Sequence, residues 1–130
     1  MQKAHFIFYV SNQERSKRFY SSVLKKNAVL DVPGMTEFEL NDACVLGLMP
    51  ETGIKKLLGK SIPDPSTAYR IPRAELYLLV ANLNEYHGRA LENGGIEISK
   101  PCLRDWGDVV AYSLDPDGHV LAFAHKHVLD

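Results

Sequence analysis

Arg104-Asp105-Trp106-Gly107-Asp108 gathers a guanidinium, two carboxylates and an indole into five consecutive residues. Arg104 offers a planar fork of donors suited to an anionic group, and Trp106 a flat apolar wall. Packing of Trp106 against a sheet is the plain alternative. Glu37 and Glu39 alternate with the apolar Phe38 and Leu40, so in a strand they share the face opposite that pair. There they can serve a site or stand solvated at a sheet edge. His125 and His127 lie two apart, on one face of an extended chain, and could take up a stray metal ion; their place near the C-terminus marks them as a frayed surface tail. His119 follows a turn and reads as packing, while His87, beside Gly88 and Arg89 in a predicted helix, is expected to be solvated. The only cysteines, Cys44 and Cys102, have no CxxC spacing and are expected to be buried, reduced thiols rather than a disulfide or a thiolate zinc site.

The elements that must position these groups fall into two similar runs. His5-Phe-Ile-Phe-Tyr-Val10 reads as a strand buried on both faces. Ser11 and Glu14 have capping-box spacing and predict a helix start. Ser16, Phe19, Tyr20, Val23 and Leu24 then recur at helical spacing and form its apolar face. Short strands are predicted over 28–32, 36–40 and 43–49, parted by Pro33-Gly34 and Asn41-Asp42. A proline- and glycine-rich connection follows, in which Ile54, Leu57 and Leu58 predict one helical turn that packs on the domain or covers a cavity or a partner subunit. The second run repeats the order: a strand from Glu75 to Val80, a helix start at Asn82 and Glu85, a stop at Asn93-Gly94-Gly95, then strands over 96–100, 108–114 and 120–124. Asp115-Pro116-Asp117-Gly118 is a strong turn between the last two. Such internal repetition predicts two similar halves, module one over 4–50, a linker over 51–73 and module two over 74–127, within a single domain of 1–130.

Lys and Arg total 15 against 16 for Asp and Glu, a net charge of -1, so no global positive field recruits nucleic acid. No apolar stretch approaches the roughly 20 residues that span a bilayer, and the N-terminal apolar run is too short for a signal-peptide core. A cytoplasmic protein without a membrane partner is expected.

The order of His5-Phe-Ile-Phe-Tyr-Val10, Arg15-Ser16, Phe19-Tyr20, Val23-Leu24, Arg89-Ala90-Leu91-Glu92, Gly94-Gly95 and Asp115-Pro-Asp-Gly-His119-Val-Leu121 resembles the vicinal oxygen chelate superfamily of glyoxalase I, bleomycin-resistance proteins and extradiol dioxygenases. Lys25 departs from that pattern, which has glycine after the helix. The resemblance implies an α+β fold of two βαβββ modules whose sheets enclose a cup for a small-molecule ligand. It also implies a homodimer and, in glyoxalase-like members, a divalent metal held by the first and last strand of each module.

Carried over by motif, the first-strand metal positions fall on His5 and Glu75, and the last-strand positions on Gly47 and Ala122, which have no donor side chain. A conventional four-ligand centre is therefore not expected, although His5 and Glu75 keep a divalent metal open and Glu37 or Glu39 could supplement them. Without metal, His5 and Glu75 could act as a catalytic acid and base pair or hydrogen-bond a ligand or each other. Tyr9 and Tyr77 share the strand parity of His5 and Glu75 and would project into the same cup as ligand contacts, with ordinary core tyrosines as the alternative. Arg104 and Trp106 would border it. The expected function is binding, with or without conversion, of a small organic molecule. The alternatives are a metal-dependent lyase or isomerase similar to lactoylglutathione lyase, and a non-catalytic dimeric sequestering protein.

Overall fold

In the computed structural model, which describes residues 1–127, the first apolar run becomes β1 (Ala4–Val10). Only Phe8 and Val10 of it are buried, whereas Phe6 and Ile7 are exposed, contrary to the expectation of a strand covered on both sides. The cause is its place at one edge of a four-stranded sheet, in the order β1, β4 (Cys44–Pro50), β3 (Met35–Asn41), β2 (Leu30–Val32). β1 runs parallel to β4, and the other neighbours are antiparallel.

Helix α1 (Gln13–Leu24) links β1 to β2, and its cap is Asn12, not Ser11: the Asn12 side chain accepts a 2.9 Å bond from the Arg15 amide. Ser11, one residue before the cap, accepts at its Oγ from the Arg15 guanidinium at 2.7 Å. Tyr20 meets Phe19 edge-on at 5.0 Å and lies 6.5 Å from Phe8, and with Phe38, Leu46 and Leu48 these rings build the helix side of the sheet. Gln13 fastens the helix start to the β2–β3 turn, donating to Val32 O and Thr36 Oγ1 at 2.9 Å and accepting from the Gly34 amide at 3.0 Å. After the helix, Lys25 takes the left-handed conformation (φ 51°) that glycine ordinarily supplies. The predicted turn beyond β4 is a two-turn helix, α2 (Glu51–Leu58), which buries Ile54 and leaves Leu57 and Leu58 exposed.

The second module repeats this arrangement with β5 (Glu75–Leu79), α3 (Leu83–Glu92), β6 (Ile96–Leu103), β7 (Asp108–Leu114) and β8 (Val120–Lys126), in the sheet order β5, β8, β7, β6. β5 is parallel to β8. Leu76, Ala111, Leu121 and Phe123 are buried on the helix side, where Phe123 packs 5.5 Å from Tyr86. β6 runs past Pro101 to Leu103 through two register irregularities, which lets an edge strand carry a proline. The Asp115–Gly118 turn is held by Asp115 Oδ1, which accepts from the amides of Asp117 and His119 at 2.9 Å. A Cβ at Gly118 (φ 89°) would stand 2.6 Å from Arg70 Cα, so glycine is required there by both conformation and space.

The chain thus contains two βαβββ modules, and its compact units are 1–21 with 25–69, and 22–24 with the residues from 70 onward. Among the described residues, no helix is long and apolar enough to cross a membrane.

If Asn12 caps α1, Asn12→Ala will lower unfolding free energy by about 1 kcal/mol in a urea titration, and Ser11→Ala by less than half of that. Equal losses would return the cap to Ser11.

Candidate functional site

In the first unit, alternation along β1 puts His5, Ile7 and Tyr9 on the face away from α1. Across the sheet, Ile7 stands opposite Gly47, and Gly47 opposite Glu37. His5 Nδ1 meets Glu37 Oε2 at 3.2 Å, with the His5 side chain 42% exposed and that of Glu37 19%. Glu37 is therefore a half-buried partner of His5 rather than a solvated edge residue. That contact orients the ring with Nδ1 toward the carboxylate and Nε2 away from it. Glu39 lies one pleat along, opposite Val45, and Tyr9 opposite Met49.

In the second unit the corresponding row is Tyr77, Ala122 and Tyr112, on β5, β8 and β7. Ala122, Ala124 and Val110 form a fully buried floor, and the rings of Tyr77 and Tyr112 pack against it half-buried. The Tyr77 hydroxyl donates to Asp108 Oδ2 at 2.5 Å and accepts from Trp106 Nε1 at 3.0 Å. Lys126 Nζ lies 3.2 Å from the other oxygen of Asp108. The Tyr77 bond, and then Lys126, hold the Asp108 carboxyl below its usual range. Burial, followed by the Asp108 bond, pushes the Tyr77 phenol up, so it stays a neutral donor. The Tyr112 phenol is also raised, by burial and then by the charge of Glu75, with Arg104 opposing.

Arg104 is locked by its Nη2, which donates to Ser99 Oγ at 2.6 Å and Val110 O at 3.0 Å, and its guanidinium sits 5.1 Å from the Tyr112 ring centre. Ser99 is itself opposite Tyr112, so the arginine extends the tyrosine row by one strand. Trp106 remains 58% exposed at the tip of the β6–β7 turn.

A four-donor metal shell does not fit these residues. The position of a Cβ on Gly47 already lies 3.2 Å from both Ile7 and the Met35 sulfur, and Ala122 is covered by two tyrosine rings. Among the described residues, no group of three or more His, Cys, Asp or Glu is arranged to hold an ion. His5 has Glu37 for its partner, and Glu75 lies in the other unit with no hydrogen bond or ion pair among the described residues.

Several remaining expectations change. His87 is buried, not solvated: it sits four residues after Leu83 and three before Ala90 on the inner face of α3, and its Nε2 meets Glu97 at 2.9 Å. Cys102 is exposed on the edge strand β6 and Cys44 half-buried; both are free thiols. His125 belongs to β8, paired with Val109, instead of a frayed tail, while His127 follows the strand. His119 is buried beside the Asp115 turn. Tyr112, Asp108, Ser99 and Lys126 were not singled out from the sequence; the turn at Asp115–Gly118 fixes a register that places Tyr112 opposite Ala122 and Asp108 opposite Lys126.

A family profile described as a glyoxalase-like domain matches residues 4–126. No curated protein matches at a significant level. Among solved structures, a glyoxalase-related enzyme from Fulvimarina pelagi is 22% identical with a TM-score of 0.79, over 96% of this chain and 88% of that one. A glyoxalase/bleomycin resistance protein/dioxygenase family enzyme from Burkholderia phytofirmans PsJN is 14% identical with a TM-score of 0.76, over 95% and 97%. A glyoxalase/bleomycin resistance protein from Albidiferax ferrireducens T118 is 22% identical with a TM-score of 0.70, over 95% and 97%. At these identities the likeness speaks for the fold alone.

The depressed pKa of Asp108 sets a pH signature. Its stabilisation is full above about pH 4, the unfolded value, and is lost as pH falls through the lower folded value. The stability lead of the native protein over Asp108→Asn will therefore hold at neutrality and shrink in acid. A lead that stays constant in urea titrations down to about pH 2 would contradict the assignment.

Proposed function

Because the chain belongs to the glyoxalase-like domain family, we propose that it binds a small organic molecule on the tyrosine-lined face of its second sheet. The observation that carries this reading is the Tyr77 hydroxyl, fixed between Asp108 and the Trp106 indole above a floor of alanines. Small residues on the central strand give an apolar floor, aromatic rings stand over it, and a few fixed polar groups give orientation; these are ingredients of small-ligand sites. Burying a carboxylate and a phenol beside an exposed surface is costly unless they are paired, and here they are paired in a way that leaves Trp106 at the rim. A sequestering role needs no more than this binding step.

Trp106 is the only tryptophan in the sequence, so its fluorescence reports the site directly. A ligand found by thermal shift will alter Trp106 emission, because a molecule that prefers the native state raises its stability and this one contacts the indole. Tyr77→Phe will weaken its affinity roughly tenfold. A stabilising ligand that leaves both Trp106 emission and Tyr77→Phe affinity unchanged would place binding elsewhere.

A second reading, proton transfer, draws on a separate observation: the 3.2 Å contact of His5 with Glu37. An imidazole held at Nδ1 by a carboxylate can accept a proton at Nε2 from a carbon next to a carbonyl, the step a lyase or isomerase of this family would need. If His5 is that base, exchange of the ligand's C–H with deuterated solvent will fall on the order of 100-fold in His5→Ala, and less in Glu37→Gln. Exchange at undiminished rate in His5→Ala would leave binding alone.

A further inference from the structure

We propose that the ligand of the second sheet is an aromatic zwitterion, its ammonium group received by Glu75 and its carboxylate by Arg104. This rests on the binding reading of that face and names the class of molecule it takes.

Two opposite charges stand on the face without neutralising each other. Glu75 is exposed on β5 and makes no hydrogen bond or ion pair among the described residues. Arg104 forms no ion pair among the described residues either: Nη2 is held by Ser99 and Val110, and its Nε is buried there without a hydrogen-bond partner. Both charges act on the Tyr112 phenol, from opposite signs. Glu75 and Ser99, the anchor of Arg104, stand on the first and last strands of the order β5, β8, β7, β6. Three inter-strand spacings and a two-residue offset along the strands separate their backbones by roughly 16 Å, a span that the side chain of Arg104 shortens by reaching back over Tyr112.

The other charged groups nearby are already spent. Asp108 is held by Tyr77 and Lys126, so it does not compete for an incoming ammonium. Between Glu75 and Arg104 lie the rings of Tyr77 and Tyr112, with Trp106 at the rim, and the Tyr112 hydroxyl has no hydrogen-bond partner among the described residues. A purely anionic ligand would face Glu75 and a purely cationic one would face Arg104. A molecule carrying both charges on an aromatic body satisfies each group and stacks on the rings between.

The test uses the full chain and four probes of similar size: phenylalanine, phenethylamine, 3-phenylpropionate and phenethyl alcohol, titrated by Trp106 fluorescence and by calorimetry. Phenylalanine is expected to bind at least about tenfold tighter than either singly charged probe, and Glu75→Gln to erase its lead over 3-phenylpropionate. Glu75 is exposed and unpaired, so this substitution does not disturb folding. A singly charged or neutral probe that equals phenylalanine overturns the proposal, as does an unchanged order in Glu75→Gln. If such a probe binds and Tyr77→Phe weakens it, the face is still the ligand site and only its charge preference was misjudged. If none of the four binds at millimolar concentration the zwitterion is excluded, and the wider thermal-shift screen decides the binding reading by itself.

Discussion

Each module is organised by one constraint: its first strand must run parallel to, and beside, its last. A parallel pair cannot be closed by a tight turn and needs a long crossover. Here the crossover from β1 to β4 consists of α1, β2 and β3, and that from β5 to β8 of α3, β6 and β7. The helix must pack on one side of the sheet, so Phe8, Val10, Phe38, Leu46 and Leu48 are apolar on that side in the first unit. In the second, Leu76, Leu121 and Phe123 do the same. The opposite side is then released from core duty. The strand residues assigned to a site, His5, Glu37, Tyr77, Tyr112 and Asp108, stand there by strand parity, while Arg104 and Trp106 come from the turn between β6 and β7.

The two sides of the second sheet show what that release changes. His87, on the inner face of α3, and Glu97 form a 2.9 Å pair on the helix side, and the imidazole Nδ1 is buried without a hydrogen-bond partner among the described residues. The imidazole is sealed from solvent, and the pair reads as packing. Tyr77 and Asp108 form an even shorter pair on the other side, but its third member is Trp106, an exposed indole. Similar chemistry thus gives a sealed pair under a helix and a network that reaches an exposed indole at the open face.

Much of this was legible from residue order. The strand and helix positions followed from alternation, helical spacing and the Asn-Gly-Gly and Asp-Pro-Asp-Gly punctuation, and β7 begins and ends where the sequence placed it. Glu37 and Glu39 were assigned to the correct face because Phe38 had to meet the helix. The failures share a cause: each concerned which neighbour a side chain would find. Ser11 and Asn12 are both competent caps, and only the chain path before α1 decides for Asn12. His87 was assigned by its polar type, although its spacing from Leu83 and Ala90 put it on the buried face. Tyr112 was recoverable from the hairpin register. Its meeting with Arg104 was not, since that depends on the irregular pairing of β6.

The small residues at 47 and 122 gain a positive meaning from the same geometry. Gly47 stands between Ile7 and Glu37, and Ala122 between Tyr77 and Tyr112, in equivalent rows of the two sheets. A donor side chain at either position would fill the space above the central strand and hold the flanking strands' side chains apart. With glycine or alanine there, groups from the first and third strands can converge across it, as His5 and Glu37 do in one unit and the two tyrosines do in the other. The feature that leaves a four-donor metal shell without two of its ligands is thus the same one that lets side chains of the flanking strands meet over the middle strand.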